Sequence, residues 1–219
     1  MNAPGATLQF DPDCTRCERL ADFLSTVRTK YPEYHARPVP GFGERGGRVL
    51  VVGLAPGMHG ANASGRPFTG DHAGILLYKT LHAFGFATAA ESVSADDNLE
   101  LLDCRITNAV KCLPPENKPT GAEVRQCSDY LAGDLAEVPD GGVLIVLGKI
   151  AHDAVLRCFG LKLSEYRFAH AAEHQLPNRQ LVMIDSYHCS RYNTQTGRLT
   201  ETMFAQVFEQ ARARIGAAA

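Results

Sequence analysis

No run of apolar residues among these 219 approaches the length that crosses a bilayer, so a membrane-spanning helix is excluded. Residues 1–6, Met-Asn-Ala-Pro-Gly-Ala, lack the charged start and apolar middle of a secretion leader, which predicts a soluble protein of the cytoplasm. A basic excess is missing too. With 22 Lys and Arg against 24 Asp and Glu the formal charge is -2, so any hold on a polyanion must come from a local face. Arg66, Lys79, Lys111, Lys118, Arg191 and Arg198 are the candidates for one. Seven cysteines without a leader make no disulfide framework. There is no internal repeat and no low-complexity tract. The length suffices for one sizeable domain and is short for two, so residues 1–219 are read as a single domain.

Glycine, by contrast, is concentrated. The run Val49-Leu-Val-Val52, a buried strand by composition, leads into a loop from Gly53 to Asp71 with further glycines at 57, 60, 65 and 70. Such residues leave main-chain N–H groups unscreened by Cβ, so a flat ligand can lie against the backbone. A reversing turn needs one or two glycines and no Phe in its middle. The loop therefore reads as a binding site, with His59, Asn62, Arg66, Phe68 and Asp71 as its chemical side chains. Two more apolar runs end in polar residues. One, from Cys104 to Val110, carries Asn108 near its end; the other, Leu181-Val-Met-Ile184, runs into Asp185-Ser-Tyr-His-Cys-Ser-Arg-Tyr-Asn193. In an open α/β sheet three such strand ends meet at one crevice.

Strand and helix patterns alternate along the rest of the chain. Leu20, Phe23, Leu24 and Val27 mark one face of a helix over residues 17–28, and Ile75, Leu76, Tyr78, Leu81 and Phe84 mark a second after Asp71. Thr120-Gly-Ala-Glu123 has the form of a capping box and opens a helix that ends by Val138. Gly142 to Leu147 is a fourth strand, followed by a helix from Ile150 that Gly160 can terminate. Residues 200–215 form a last helix with Met203, Val207 and Ile215 inward, and residues 216–219 are expected to fray. This pattern predicts a three-layer α/β/α sandwich around a mostly parallel, four-stranded sheet.

Gly41-Phe-Gly-Glu-Arg-Gly46 matches a dinucleotide-binding fingerprint, but it precedes its strand and opens no helix, so it is a loop. His170-Ala-Ala-Glu-His174 fits an inverted zinc-peptidase pattern, which needs a sustained helix that Pro177 interrupts. A zinc hydrolase using His170, Glu173 and His174 is one alternative reading. Cys14 and Cys17 form a C-x-x-C, and Cys112 and Cys127 enclose fourteen residues. Four thiolates so spaced suit either zinc or an iron–sulfur cluster. Cys104 and Cys158 fall in apolar segments and read as small core residues, which leaves Cys189 unassigned.

Gly53-Leu-Ala-Pro-Gly57 with Gly65-Arg-Pro-Phe-Thr-Gly-Asp71, then Ile106-Thr-Asn-Ala-Val-Lys-Cys112, then Ser186-Tyr-His-Cys-Ser-Arg191 with Asn193-Thr-Gln-Thr-Gly-Arg-Leu-Thr200, together resemble the uracil-DNA glycosylase superfamily. The match is to its iron–sulfur-containing family five, and it runs in order from Cys14 to Thr200. The resemblance implies a glycosylase of base excision repair that flips uracil out of DNA and hydrolyses its N-glycosidic bond, leaving an abasic site. Hypoxanthine and xanthine are further implied substrates. It also implies a [4Fe–4S] cluster on Cys14, Cys17, Cys112 and Cys127, a structural clamp on the N-terminal segment. A monomer at the nucleoid of a prokaryote would follow, and a noncatalytic iron–sulfur domain that binds nucleic acid is the other alternative.

Roles follow from what base excision demands. Phe68 would stack on the extruded base, Asn108 would read its O4/N3 edge, and backbone N–H groups near Gly53, Ala55 and Gly57 would meet its oxygens, with His59 in the same loop. His188 would stabilise the departing base anion at O2, and Asp71 would orient water and face the oxocarbenium ion. Asp71 is equally placed to cap the helix that starts at His72. Arg191 would contact a phosphate of the DNA, Asn193 would be a further substrate-binding residue, and Tyr192 would fill the gap left by the flipped base. The chain departs from the better-known family one at Leu54-Ala55, where a polar residue is usual. A second departure is Cys189, which replaces the usual proline and restores φ freedom to that loop.

Overall fold

The computed structural model describes residues 9–177 and 179–217. The hexapeptide used to judge the leader and the last two residues of the expected fraying end lie outside them. In chain order the elements are α1 (Glu18–Lys30), β1 (Phe42–Gly43), β2 (Val49–Gly53), α2 (Ala61–Ser64), α3 (His72–Ala83), β3 (Cys104–Asn108), α4 (Gly121–Glu137) and β4 (Val143–Leu147). Then come α5 (Lys149–Cys158), β5 (Glu173–Leu176), β6 (Leu181–Ser186), α6 (Arg191–Gln195) and α7 (Glu201–Ala217). Among the described residues no helix is long and apolar enough to cross a membrane.

The sheet runs β1-β3-β2-β4-β6-β5. Its four inner strands are the four expected ones, all parallel, and every residue of β2, β3 and β4 is buried, as a sheet covered on both faces requires. The expected count of four is corrected to six, because β1 and β5 add antiparallel edges. Neither edge has an apolar run to announce it. Each is a short, largely half-buried segment recruited by the free backbone groups of its neighbour. Thus β1 lies inside the stretch expected to be a plain loop, and the expected surface connection at residues 170–174 ends in β5.

Side-chain alternation divides the core. Leu50, Val52, Leu144, Val146 and Met183 face α1, α4 and α5, whereas Val49, Val51, Val143, Ile145 and Ile184 face α3 and α7. This is the expected α/β/α sandwich. The capping box forms as expected: Thr120 Oγ1 accepts from the Glu123 N–H at 3.2 Å, and Glu123 Oε2 accepts from the Thr120 N–H at 2.7 Å. In α3 the buried stripe is Leu76, Leu77, Tyr78 and Leu81, and Ile75 is 63% exposed, so the expected face was turned by one residue. α7 buries Phe204, Phe208 and Ala211 beside Val207 and Ile215. The strand order reverses direction around β2, which puts the loops after β2, β3 and β6 at one crevice.

Candidate active site

A cavity of about 410 Å³ opens at the carboxyl ends of these strands, within the range of ligand pockets. It gathers Leu54, Ala55, Gly57, Phe68, Asp71, Asn108, His188 and Arg191, three loops that are far apart in sequence. Gly53 does not line the cavity but lies against two side chains that do. A Cβ there would lie 2.4 Å from Asn108 Oδ1 and 2.7 Å from Phe68 Cζ, so only glycine lets both side chains cross this strand end. Asn108 is directly opposite Gly53 in the parallel register, is buried, and its Oδ1 has no hydrogen-bond partner. An orphaned buried amide oxygen carries a desolvation cost that a ligand N–H removes.

Phe68 is buried and held at φ +58°, in the left-handed region that a bulky residue adopts only when its surroundings impose it. Gly74 is what permits this, since a Cβ on it would overlap the Phe68 carbonyl oxygen. The Phe68 ring faces the His188 ring at 5.9 Å between centroids, with 26° between planes. Asp71 is the N-cap of α3, its Oδ1 accepting from the Gly74 N–H at 2.8 Å. Its Oδ2 points toward the loop backbone, 2.6 Å from the place a Cβ would take on Gly60. Asp71 therefore caps the helix and lines the cavity together. Burial raises its pKa, and the N–H groups of Gly74 and Ala73 partly offset that.

His188 is half-buried, and among the described residues neither ring nitrogen has a partner. Desolvation pushes its pKa down to about 4, so the ring is a neutral imidazole at physiological pH. The two shifts set a pH profile. A carboxyl with a raised pKa must lose its proton to act, and a histidine with a lowered pKa stays neutral above its own. The single-turnover rate should be flat from neutral pH downward, then fall with one proton as Asp71 titrates, above the usual carboxylate range. A histidine-type inflection near pH 6.5, abolished in His188→Gln, would contradict this assignment.

Some expected site residues lie elsewhere. His59 does not line the cavity; its Nδ1 is bonded at 2.8 Å to the Tyr34 hydroxyl, beside a stacked Tyr31–Tyr34 pair. Asn193 likewise faces away, its Nδ2 donating to the His188 carbonyl at 2.8 Å, where it braces the loop. The thiol of Cys189 is fully buried in the core. Tyr192 is 71% exposed next to Arg191 at the rim. Asn117 lines the cavity at φ +55° and was missed, because nothing in Pro-Pro-Glu-Asn117-Lys-Pro announces that its loop folds back over β3. The expected positive face is smaller than supposed. Arg66 is buried against Asp97 at 2.5 Å, Lys111 against Asp134 at 2.6 Å, Lys79 pairs with Glu201 and Lys118 with Glu116, which leaves Arg191 and Arg198. A larger cavity of about 510 Å³, lined by Arg105, Lys111, Asp134 and Glu137, contains none of the expected catalytic or substrate-binding residues.

Cys14, Cys17, Cys112 and Cys127 line one small cavity between α1, the loop after β3 and α4. All four are free thiols, and the Cys127 sulfur accepts from the Lys111 N–H at 3.3 Å. Burial and the neighbouring sulfurs push the Cys112 thiol up to about 12. The zinc-peptidase alternative is not favoured by this geometry: Glu173 and His174 sit on a strand, and both His170 nitrogens are occupied, by the Tyr187 N–H and the Met203 carbonyl.

Fold and site together define a doubly wound α/β protein with a base-sized crevice. An unsatisfied amide, an aromatic ring, a carboxylate and a neutral imidazole converge there, the equipment of a nucleobase-handling protein. The sequence profile of the uracil DNA glycosylase superfamily matches residues 40–212, and the chain belongs to that superfamily. It is 44% identical over 208 residues to the type-5 uracil-DNA glycosylase of Thermus thermophilus, covering 93% of this chain and 94% of that one. The type-5 uracil-DNA glycosylase of Pyrobaculum aerophilum is 41% identical over 209 residues, 93% of this chain and 90% of its own. A type-4 uracil-DNA glycosylase from Archaeoglobus fulgidus is 32% identical over 152 residues, 69% of this chain and 62% of its own.

Proposed function

We propose that this protein is a uracil-DNA glycosylase of base excision repair, a monofunctional enzyme that hydrolyses the N-glycosidic bond of an extruded uracil and leaves an abasic site. The observation that carries the reading is Asn108, a buried amide with an orphaned oxygen at a strand end. Its carbonyl accepts from uracil N3–H and its NH₂ donates to O4, the pair of bonds that this base edge offers. Phe68 stacks on the base. As the bond lengthens, negative charge collects on the base, and the neutral His188 donates a hydrogen bond to O2. Asp71, still capping α3 through Oδ1, uses Oδ2 to orient water and to face the cationic sugar. Arg191 meets a backbone phosphate and Tyr192 fills the vacated stack. The polarity-poor Leu54-Ala55 wall supports tolerance of hypoxanthine and xanthine.

Cys14, Cys17, Cys112 and Cys127 would hold a [4Fe–4S] cluster. A wholly thiol donor set, gathered without disulfides and with a backbone N–H already aimed at one sulfur, fits such a group. Bound there, it would tie α1 to the loop that follows Asn108 and carries Asn117. We read residues 1–219 as one such domain, acting as a monomer on DNA at a prokaryotic nucleoid.

The test is excision from end-labelled oligonucleotides bearing uracil, hypoxanthine or xanthine, with alkali to cut the abasic product. Wild type should give alkali-labile sites at uracil. Phe68→Ala removes a stack worth about 1–3 kcal/mol for any base, so it should slow all substrates alike. Asn108→Ala removes an edge-specific contact and should change the uracil-to-hypoxanthine ratio. Identical losses on both substrates from both variants would overturn this division of labour, and the absence of any alkali-labile product would overturn the function.

A further inference from the structure

His170-Ala-Ala-Glu-His174, the peptidase-like motif that the proposed reaction leaves unused, lies behind the strand that delivers His188. Its two imidazoles grip the two alternate residues that precede the catalytic candidate. His170 Nδ1 accepts from the Tyr187 N–H at 3.2 Å, while its Nε2 donates to the Met203 carbonyl at 3.1 Å. These partners fix one neutral tautomer. The His170 ring is also stacked on the Tyr187 ring, with centroids at 5.1 Å and 22° between planes.

His174 Nε2 donates to Asp185 Oδ2 at 3.0 Å, and Asp185 has no exposed surface. The same carboxylate accepts from His152 Nδ1 at 2.7 Å and from the Ala169 N–H at 3.2 Å, and His152 Nε2 is bonded to the Tyr166 carbonyl. His152, His174 and Asp185 bring three ligand-type atoms within 4.8 Å, but the bonds named here already occupy them. They form a closed hydrogen-bonded knot in place of an ion site.

From these contacts we infer that His170, through the Tyr187 N–H, and His174, through the Asp185 side chain, are positioning residues that fix the Asp185–Tyr187 segment and so aim His188 at the base. The inference rests on the catalytic role proposed for His188. A loop joined to β6 with no proline at position 189 has φ freedom to lose, and a displacement of about 1 Å at a catalytic group can cost on the order of 10²-fold in rate. Burial lowers the pKa of His170, which keeps Nδ1 an acceptor.

The two histidines use opposite nitrogens, and this gives a crossed test. Asn places its side-chain oxygen where Nδ1 stood, and Gln places its amide where Nε2 stood. His170→Asn should therefore keep the single-turnover rate within a few-fold, and His170→Gln should lower it about 10- to 10²-fold with little change in half-saturating DNA concentration. His174→Gln should be mild and His174→Asn severe. Thermal melts guard against misfolding, and the His170 pair stands alone if the partly buried His174 variants fail to fold.

The His188→Ala background separates the two claims. If His170 works through His188, His170→Gln should cost nothing further there. A full additional loss would overturn the positioning role while leaving the site reading intact, and a wild-type rate in His188→Ala alone would overturn the site reading itself. Equal effects of Asn and Gln at both positions, or a stoichiometric zinc lost on His174→Asn, would also overturn the inference.

Discussion

His188→Ala should slow single-turnover excision of uracil by about 10²–10³-fold, the usual cost of removing one donor from a site of developing negative charge. The leaving base gathers charge beside His188, whose ring is stacked on Phe68 and whose nitrogens, among the described residues, have no hydrogen-bond partner. Asp71→Ala should be impaired to an overlapping degree, and it should also melt at lower temperature because α3 loses its cap. Asp71→Asn separates the functions. The amide oxygen still caps α3, while the NH₂ in the place of Oδ2 can hold water only as a donor and cannot balance the cationic sugar, so stability should return and part of the rate with it. Measured with a melt for each variant, a wild-type rate in Asp71→Ala would reduce this carboxylate to a helix cap. The mechanism would then rest on His188 and the loop N–H groups.

Loss of the thiol quartet should have the other large effect. Purified wild-type protein is expected to be brown, with iron and acid-labile sulfide in equal amounts, and Cys112→Ser should bleach it and lower its melting temperature by a wide margin. The reason is topological. Cys14 precedes α1 and Cys17 is its N-cap, Cys112 follows the Asn108 strand, and Cys127 lies in α4, so one group would cross-link three segments joined only by long connections. Asn108 and Asn117 flank this knot, so substrate binding should weaken along with stability. A colourless protein carrying one zinc per chain would refute the cluster, and a Cys112→Ser variant with unchanged melting would refute the clamp.

Much of this was legible from local pattern. Four runs are placed correctly as buried parallel strands; in β2, β4 and the first four residues of β6 burial leaves an unbroken hydrophobic signature, whereas in β3 the buried Arg105 and Thr107 interrupt it and pair with Asp134. The Thr120–Glu123 box and the glycine loop are local grammar of the same kind, written in residues at most a few positions apart. Even the dual reading of Asp71, cap and carboxylate, follows from its neighbours in the chain.

Partnership between distant segments was not legible. β1 and β5 exist because β3 and β6 offer free edges; their own residues carry no strand signal. Arg66 and Lys111 look like surface cations in sequence, and only the tertiary fold places Asp97 and Asp134 against them. His59 and Asn193 stand in the right loops but turn to Tyr34 and to the His188 carbonyl, because side-chain direction depends on partners 25 residues away in the first case and on loop curvature in the second. The sequence by itself determined the layer order and the three strand ends that meet. Tertiary structure decided which side chains at those ends face the cavity, since that depends on packing between segments with no fixed spacing along the chain.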